Sequence, residues 1–256
     1  MKANYLKEDG KRWDIRASAG KKLDHFNVTQ GACSGNGYIY MAFEQKANKA
    51  KKREHRIKIV ELDLANRKVL RVSAPLNLGH ANDMCIFGDE LLVTHSAGKK
   101  VIHRVSIKTF KKLKDIDIKV PDKLKGHVTG FNGITRMGDL IVLRCMSGSY
   151  VMYLNQKFKY VDHAKFTKPF DQKEDSQGMV QAGETIWRAY SRLQSKTKNY
   201  ICKFKKNGKL ISKARLNTKG ELESVFFING QLYATIYRKK KIDGKKRYMA
   251  YICKCV

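Results

Sequence analysis

Five polar residues recur at near-equal intervals along this chain: Gln30, Asn82, Asn132, Gln177 and Glu223, separated by 52, 50, 45 and 46 positions. Four amides and one carboxylate, with Asp83 beside the second of them, hold waters, an ion or a small polar ligand once something gathers them in one place. They have an equally direct structural use. Buried polar groups must be satisfied, so the same side chains can tie neighbouring elements together through hydrogen bonds to the backbone. His80 stands three residues before Asp83. A histidine and an aspartate at that spacing suit proton transfer or metal ligation. Either role needs a third partner that the spacing does not supply, and a structural histidine is the simpler reading. No P-loop, strand-borne GxGxxG, GxSxG or HExxH pattern is present, so catalytic residues are left unassigned.

The six cysteines, Cys33, Cys85, Cys145, Cys202, Cys253 and Cys255, match no zinc spacing, and a chain of this length needs no disulfide staples. They read as unpaired, small apolar core residues, with Cys253 and Cys255 at most a weak metal signal. The sequence leads us to expect neither a metal nor a cofactor.

What positions the five polar residues is a repeat. Each leads a unit in which Gly or Asp usually follows, then a short apolar stretch, a turn and an alternating strand. Asn82-Asp83-Met84-Cys85-Ile86-Phe87-Gly88-Asp89-Glu90-Leu91-Leu92 is one such unit, and Glu223-Ser224-Val225-Phe226-Phe227-Ile228-Asn229-Gly230-Gln231-Leu232-Tyr233 is another. Asn-Gly and Gly-Asp at the turn are hairpin chemistry. Further strand-like runs complete each unit; in the second they are Glu90 to Ser96, Val101 to Ile107 and Leu113 to Ile118. Four short strands in a unit of about 45 residues make the blade of a β-propeller. The predicted fold is all-β, a five-bladed propeller with four-stranded blades, as a single domain over residues 1–256. In the fifth unit only two residues follow the run Arg247 to Lys254, so its fourth strand is missing. Trp13 to Ala17 or His25 to Val28 is predicted to supply it, closing the last blade and removing an exposed edge. A two-sheet sandwich is the alternative, and it leaves the five-fold repetition unexplained. In a propeller the first residue of each innermost strand lies at one mouth of the central channel. The five lead residues, with His80 and Asp83, therefore form a candidate binding ring.

The chain carries 53 Lys and Arg against 23 Asp and Glu, a net charge of +30. Such a surface attracts polyanions. The loops joining second to third strands are expected on the mouth face, and two are dense in basic residues: Lys51, Lys52 and Arg53 in the first unit, Lys240, Lys241 and Lys246 in the fifth. A basic rim round a polar mouth suits a phosphate-bearing polymer. The opposite face is basic too, at Lys206, Lys209, Lys111 and Lys114, and charge runs in loops are commonly just solvated. The first residues form no apolar leader, and no run approaches the roughly 18 apolar residues of a membrane span.

Leu78-Gly79-His80-Ala81-Asn82-Asp83-Met84 resembles the signature segment of the helveticin J family of class III bacteriocins, whose members are likewise large, basic and rich in short strands. The match covers those seven residues closely; elsewhere it rests on the blade pattern and on Gln30-Gly31, and the six cysteines and the lysine content depart from it. The resemblance implies a monomeric antibacterial protein, secreted without a visible signal peptide, that binds an anionic cell-wall polymer at the bacterial envelope. Two other readings stand beside it. One is an enzyme, a hydrolase, lyase or cyclase working on a sugar or peptide at the channel mouth. The other is a cytoplasmic propeller that binds nucleic acid or another polyanion, which unpaired cysteines favour.

Overall fold

Each of the five predicted hairpins forms in the computed structural model, which describes residues 4–7, 12–45, 56–96, 98–146, 149–170, 175–191, 198–242 and 244–256. At the first hairpin, Asn36 and Gly37 take φ of 54° and 80°, the two left-handed residues that a type I′ turn requires. The chain begins with β1 (Asn4–Lys7), β2 (Trp13–Asp14) and a short helix α1 (Ile15–Ala19), which Asp14 caps by accepting from the backbone N–H of Arg16 and Ala17. Blade I is β3 (Phe26–Gly35), β4 (Tyr38–Gln45), β5 (Arg56–Asp63) and β6 (Lys68–Val72), and β7 (Leu76–Asn77) continues its outer edge by pairing with β5. Blade II is β8 (Asp83–Phe87), β9 (Glu90–Thr94), β10 (Val101–Ser106) and β11 (Ile116–Asp117). Blade III is β12 (Phe131–Met137), β13 (Leu140–Cys145), β14 (Tyr150–Leu154) and β15 (Tyr160–Lys165). Blade IV is β16 (Asp175–Ala182), β17 (Thr185–Ser191), β18 (Asn199–Lys205) and β19 (Leu210–Asn217). Blade V is β20 (Glu221–Ile228), β21 (Gln231–Ile242) and β22 (Lys245–Lys254), with β2 as its outer strand.

The inner strands close a ring: β3 packs on β8, β8 on β12, β12 on β16, β16 on β20, and β20 on β3. Five apolar clusters fill the spaces between neighbouring blades. Phe26, Met41, Phe43 and Val60 of blade I meet Phe226, Ala250 and Ile252 of blade V, with Trp13, Ile15 and Leu23 from the N-terminal segment in the same cluster. Ile134, Ile141 and Leu143 meet Cys85 and Leu92 between blades II and III. Each large side chain buried in these seams contributes about 1.5–3 kcal/mol. All six cysteines are buried free thiols, as expected of apolar core residues.

The closure of the last blade follows the prediction in kind: Trp13 and Asp14 pair with Ile252 and Tyr251 of β22. The strand stops at Asp14 because that side chain caps a helix, so Ala17 lies in α1 and not in a strand. The other candidate, His25 to Val28, belongs to the start of the innermost strand of blade I instead. The run Leu113 to Ile118 narrows to the two residues of β11, preceded by an isolated bridge between Val105 and Lys112. β1 was not anticipated: it adds to blade IV in parallel with β19, and Lys7 exchanges backbone hydrogen bonds with Val256 at 2.8 and 2.9 Å. No described helix is long and apolar enough to cross a membrane.

Candidate active site at the channel mouth

The lead residues fall where the inner ladders break register. In β3 the pairing with β4 skips between Thr29 and Ala32, bypassing Gln30 and Gly31. In β12 it skips Asn132, in β16 Gln177 and Gly178, and in β20 Glu223. In blade II, Asn82 immediately precedes the first strand residue, Asp83. A bulge breaks the two-residue alternation and turns the extra side chain out of the ladder. Four bulges at equivalent positions thus aim the predicted ring at one end of the channel.

A bulge also releases backbone N–H groups, and Asp83 collects them. Its Oδ2 accepts from the N–H of Ile134 and of Met179, both at 2.9 Å, and its carboxyl also accepts from the N–H of Met84. These three donors lie two residues after Asn132, Gln177 and Asn82. Asp83 is fully buried and ties blades II, III and IV together across the axis. The small residues that follow the other leads make room for it. A Cβ on Gly31 would lie 2.5 Å from the Asp83 Cα, and one on Gly178 would lie 2.9 Å from Asp83 Oδ1 and closer still to Ser224 Oγ. Ser224 Oγ donates to the Ala32 carbonyl at 3.1 Å, and Gly31 N–H donates to the Ala81 carbonyl at 3.0 Å, which joins blade V to I and blade I to II. Burial pushes the Asp83 carboxyl up to about 8, against the pull of its backbone donors and of Arg144. For Asp83, the structural role considered for the ring is the one observed.

Above this hub the mouth is polarised. Glu223 of blade V is 4% exposed. Among the described residues it has no hydrogen-bond partner and no counter-ion. Burial raises its proton affinity well above the usual carboxylate range, and the charges of Glu221 and of Glu44 from blade I raise it further. Glu221 Oε1 accepts from Gln177 Nε2 at 3.4 Å. Glu44 Oε2 lies 2.8 Å from His80 Nδ1, so His80 pairs with Glu44 and not with Asp83, whose carboxylate is taken up by backbone N–H groups. Tyr237, opposite Glu221 in the ladder, stacks on Tyr248 with ring centroids 6.2 Å apart. Its hydroxyl holds its proton more tightly through burial, then through Tyr248, Glu223 and Glu221. On the blade III and IV side, Arg144 donates to the Ser176 carbonyl at 3.4 Å and Arg188 to Ser176 Oγ at 3.2 Å. Among the described residues, the buried amide oxygens of Asn82 and Asn132 and the Nε atoms of Arg144 and Arg188 make no hydrogen bond.

The structure thus places Asn82, Asn132, Gln177 and Glu223 at or near the starts of their inner strands and Gln30 at the fifth residue of β3, and it brings Gln177 to the Glu221 carboxylate that neighbours Glu223. Two of the carboxylates there, Glu44 and Glu221, were not anticipated. Glu221-x-Glu223 is a legible pair of acids; Tyr237 reaches the site through the β20–β21 hairpin, whereas Glu44, on a second strand of blade I, joins it only when blade I closes against blade V. Among the described residues, no three His, Cys, Asp or Glu side chains converge as metal ligands.

Of the basic rim, Lys51, Lys52 and Arg53 lie outside the described residues, as does the side chain of Lys246. Lys240 and Lys241 are exposed and pair with Arg247 and Lys246 in the β21–β22 ribbon, which runs on beyond the last β20 pairing at Tyr237. On the far side of Asp83 the channel holds a cavity of about 200 Å³ lined by Cys33, Met84, Cys85, Met179 and Phe226 among others. Burial raises the proton affinity of both thiols, which keeps them in the unreactive form.

No family model and no curated protein matches the sequence, so the likeness of Leu78 to Met84 to helveticin J stands on those residues alone. The structure gives that segment a role in the fold: Gly79, at φ 62°, is packed by the His95 ring, and Asp83 is the axial hub. Solved structures do match. The glutaminyl cyclase of Myxococcus xanthus aligns over 99% of this chain and 97% of its own with a TM-score of 0.62 at 9% identity. A family 43 β-xylosidase/α-arabinofuranosidase from a compost microbial metagenome aligns over 90% and 92% with a TM-score of 0.58 at 9% identity. An α-L-arabinofuranosidase from Clostridium thermocellum aligns over 89% of both chains with a TM-score of 0.56 at 10% identity. At such identities the likeness establishes the fold, a five-bladed β-propeller, and nothing of the chemistry.

Proposed function

We propose that the protein is an enzyme whose reaction takes place at the channel mouth, with Glu223 as the group that transfers a proton. The observation that carries this reading is Glu223 itself: a buried carboxyl without a hydrogen-bond partner among the described residues, whose proton affinity is raised by burial and further by the charges of Glu221 and Glu44. A carboxyl whose proton affinity is raised in this way is suited to general acid catalysis, which contributes about 10²–10⁴-fold. Glu221 accepts from Gln177 and Glu44 pairs with His80, and their charges add to the effect of burial. The reaction class is hydrolysis, elimination or cyclisation at a sugar or peptide bond, where protonation of a leaving group lowers the barrier. The neighbours with glycosidase and cyclase activity lend this reading support only at the level of fold.

The test is turnover of aryl pentosides and of peptides with N-terminal glutamine by the full chain and by Glu223→Gln. Loss of at least about 100-fold in kcat/KM with an unchanged circular dichroism spectrum is expected. The alkaline limb of the pH profile should show activity falling as pH rises through the elevated pKa of Glu223. Turnover that Glu223→Gln leaves intact, or no turnover of any of these substrates, refutes the proposal.

The antibacterial, envelope-binding reading has one specific observation in its favour, the β21–β22 ribbon, which runs on beyond its last pairing with β20 and exposes Lys239, Lys240 and Lys241.

A further inference from the structure

We infer that the mouth binds an acidic sugar, whose carboxylate lies against Arg188 and whose hydroxyls face Asn82 and Asn132. This rests on the assignment of the mouth as the active site and names the substrate class.

Arg188 carries the argument. It is 3% exposed, and a guanidinium cannot shed its charge by losing a proton. Among the described residues its one hydrogen bond goes to a neutral group, Ser176 Oγ at 3.2 Å, and no carboxylate pairs with it. Its Nε makes no hydrogen bond. The Phe166, Tyr190 and Phe204 ring centroids lie 5.4, 5.1 and 5.5 Å from the guanidinium carbon. Those rings hold the cation and return part of what it lost with its water, but they give its N–H fork no acceptor in the plane. A buried charge without a counter-ion is costly. An anion that completes this one meets a group already desolvated and fixed.

The repeat makes the same point independently. Arg188 stands opposite Met179, in the first pair after the break in the β16–β17 ladder, and Arg144 stands opposite Gly133 at the same place in blade III. That place is taken by Met41 in blade I, Thr94 in blade II and Thr235 in blade V. Three blades pack there without a cation, so the fold does not demand one. The two that carry arginine are neighbours. Both guanidiniums turn to Ser176, Arg144 through the carbonyl at 3.4 Å, one residue before the lead Gln177. Like charges brought to one residue repel, and an anion beside them removes that repulsion.

The neutral groups complete the description of the ligand. Asn132 is the residue skipped just before the Gly133–Arg144 pair, and its amide oxygen and that of Asn82 are buried without a hydrogen bond among the described residues. An amide oxygen needs a donor, which a carboxylate lacks and a hydroxyl supplies. A planar carboxylate matches the edge of a guanidinium. A uronic acid carries both groups on one ring. Its single negative charge also suits a mouth that holds Glu44 and Glu221 better than the nearly double charge of a phosphate ester does.

The experiment is calorimetric titration of the full chain at pH 7 and 0.15 M salt with glucuronate, glucuronamide and glucose 6-phosphate. It is joined to turnover of an aryl β-glucuronide against an aryl β-xyloside, the same ring without the carboxyl carbon. Glucuronate should bind at least about tenfold more tightly than glucuronamide, and the glucuronide should show a kcat/KM higher by a similar factor. Arg188→Gln should abolish the binding preference. Arg188→Lys, which keeps the charge and loses the fork, should retain part of it. Asn132→Ala should weaken glucuronate and glucuronamide alike and leave their ratio unchanged. Circular dichroism checks that each variant folds; if Arg188→Gln does not, the wild-type ratio and Asn132→Ala decide. Equal affinity for glucuronate and glucuronamide, a preference that survives in folded Arg188→Gln, or an affinity that Asn132→Ala leaves untouched overturns the inference. So does tighter binding of glucose 6-phosphate, or no binding of glucuronate at tens of millimolar. Glucuronate bound with the expected preference but no turnover of any substrate would leave this inference standing and sink the enzymatic reading. Turnover of the xyloside that Glu223→Gln abolishes, with no preference for the carboxylate, would do the reverse.

Discussion

Asp83 decides more of the structure than any other single residue. Its carboxyl accepts from three backbone N–H groups of blades II, III and IV, so removing it leaves three buried donors unmatched, each costing about 1–3 kcal/mol. Asp83→Ala should lower the unfolding free energy by on the order of 3 kcal/mol or more in urea denaturation, while Asp83→Asn, which keeps an acceptor oxygen, should cost less. The two variants also separate in their pH dependence. In the folded chain Asp83 releases its proton near 8; in the unfolded chain an aspartate does so near 3.9. Between those values the folded state holds a proton that the unfolded state has lost, so the contribution of Asp83 to stability is fully present below about pH 4 and is lost as pH rises towards 8. Glu223 acts with the same sign. Urea midpoints at pH 5 and pH 8 should show the wild type losing more stability than Asp83→Asn over that interval; parallel behaviour would mean that Asp83 is ionised in the fold. Asp83 was visible in the sequence as the acid beside a lead amide. What it touches was not, because its partners Ile134 and Met179 lie 51 and 96 residues away and are backbone groups, which carry no residue signature.

At the level of elements, the repeat made the blades legible because each unit buries one face of a short strand against the next, and that demand imposes the same alternation and the same turn chemistry five times. The bulges were legible only as the place where a polar residue interrupts an apolar strand. Their convergence depends on the ring. β1 was illegible for a different reason: a strand of four residues at an edge, paired in parallel, needs no alternation of its own. Both N-terminal strands cover edges, β2 on blade V and β1 on blade IV, and Trp13, Ile15 and Leu23 fill the seam between blades V and I. Deleting residues 1 to 28 should therefore open two edges, empty that seam and lower the thermal midpoint by well over 10 °C, given about 2–4 °C per kcal/mol for a chain of this size and about 2–5 kcal/mol for each large core side chain removed. A truncated protein that melts with the full chain would show that the N-terminal segment does not close the ring.

For the whole molecule, the dominant property is its charge. The net +30 acts on large anions, and the β21–β22 ribbon concentrates it: Lys239, Lys240 and Lys241 on one strand face Tyr248, Arg247 and Lys246 on the other, with the Lys239 ammonium 5.7 Å from the Tyr248 ring centroid. A polyanion that lies along the ribbon displaces condensed counterions, so its affinity falls with salt at a slope of about −0.7 to −0.9 per neutralised phosphate. Reversing Lys239, Lys240 and Lys241 to Glu should weaken binding to heparin, single-stranded nucleic acid and teichoic acid alike, and should reduce that slope by about 2 to 3. If charge reversal leaves the salt slope unchanged, the ribbon is only solvated.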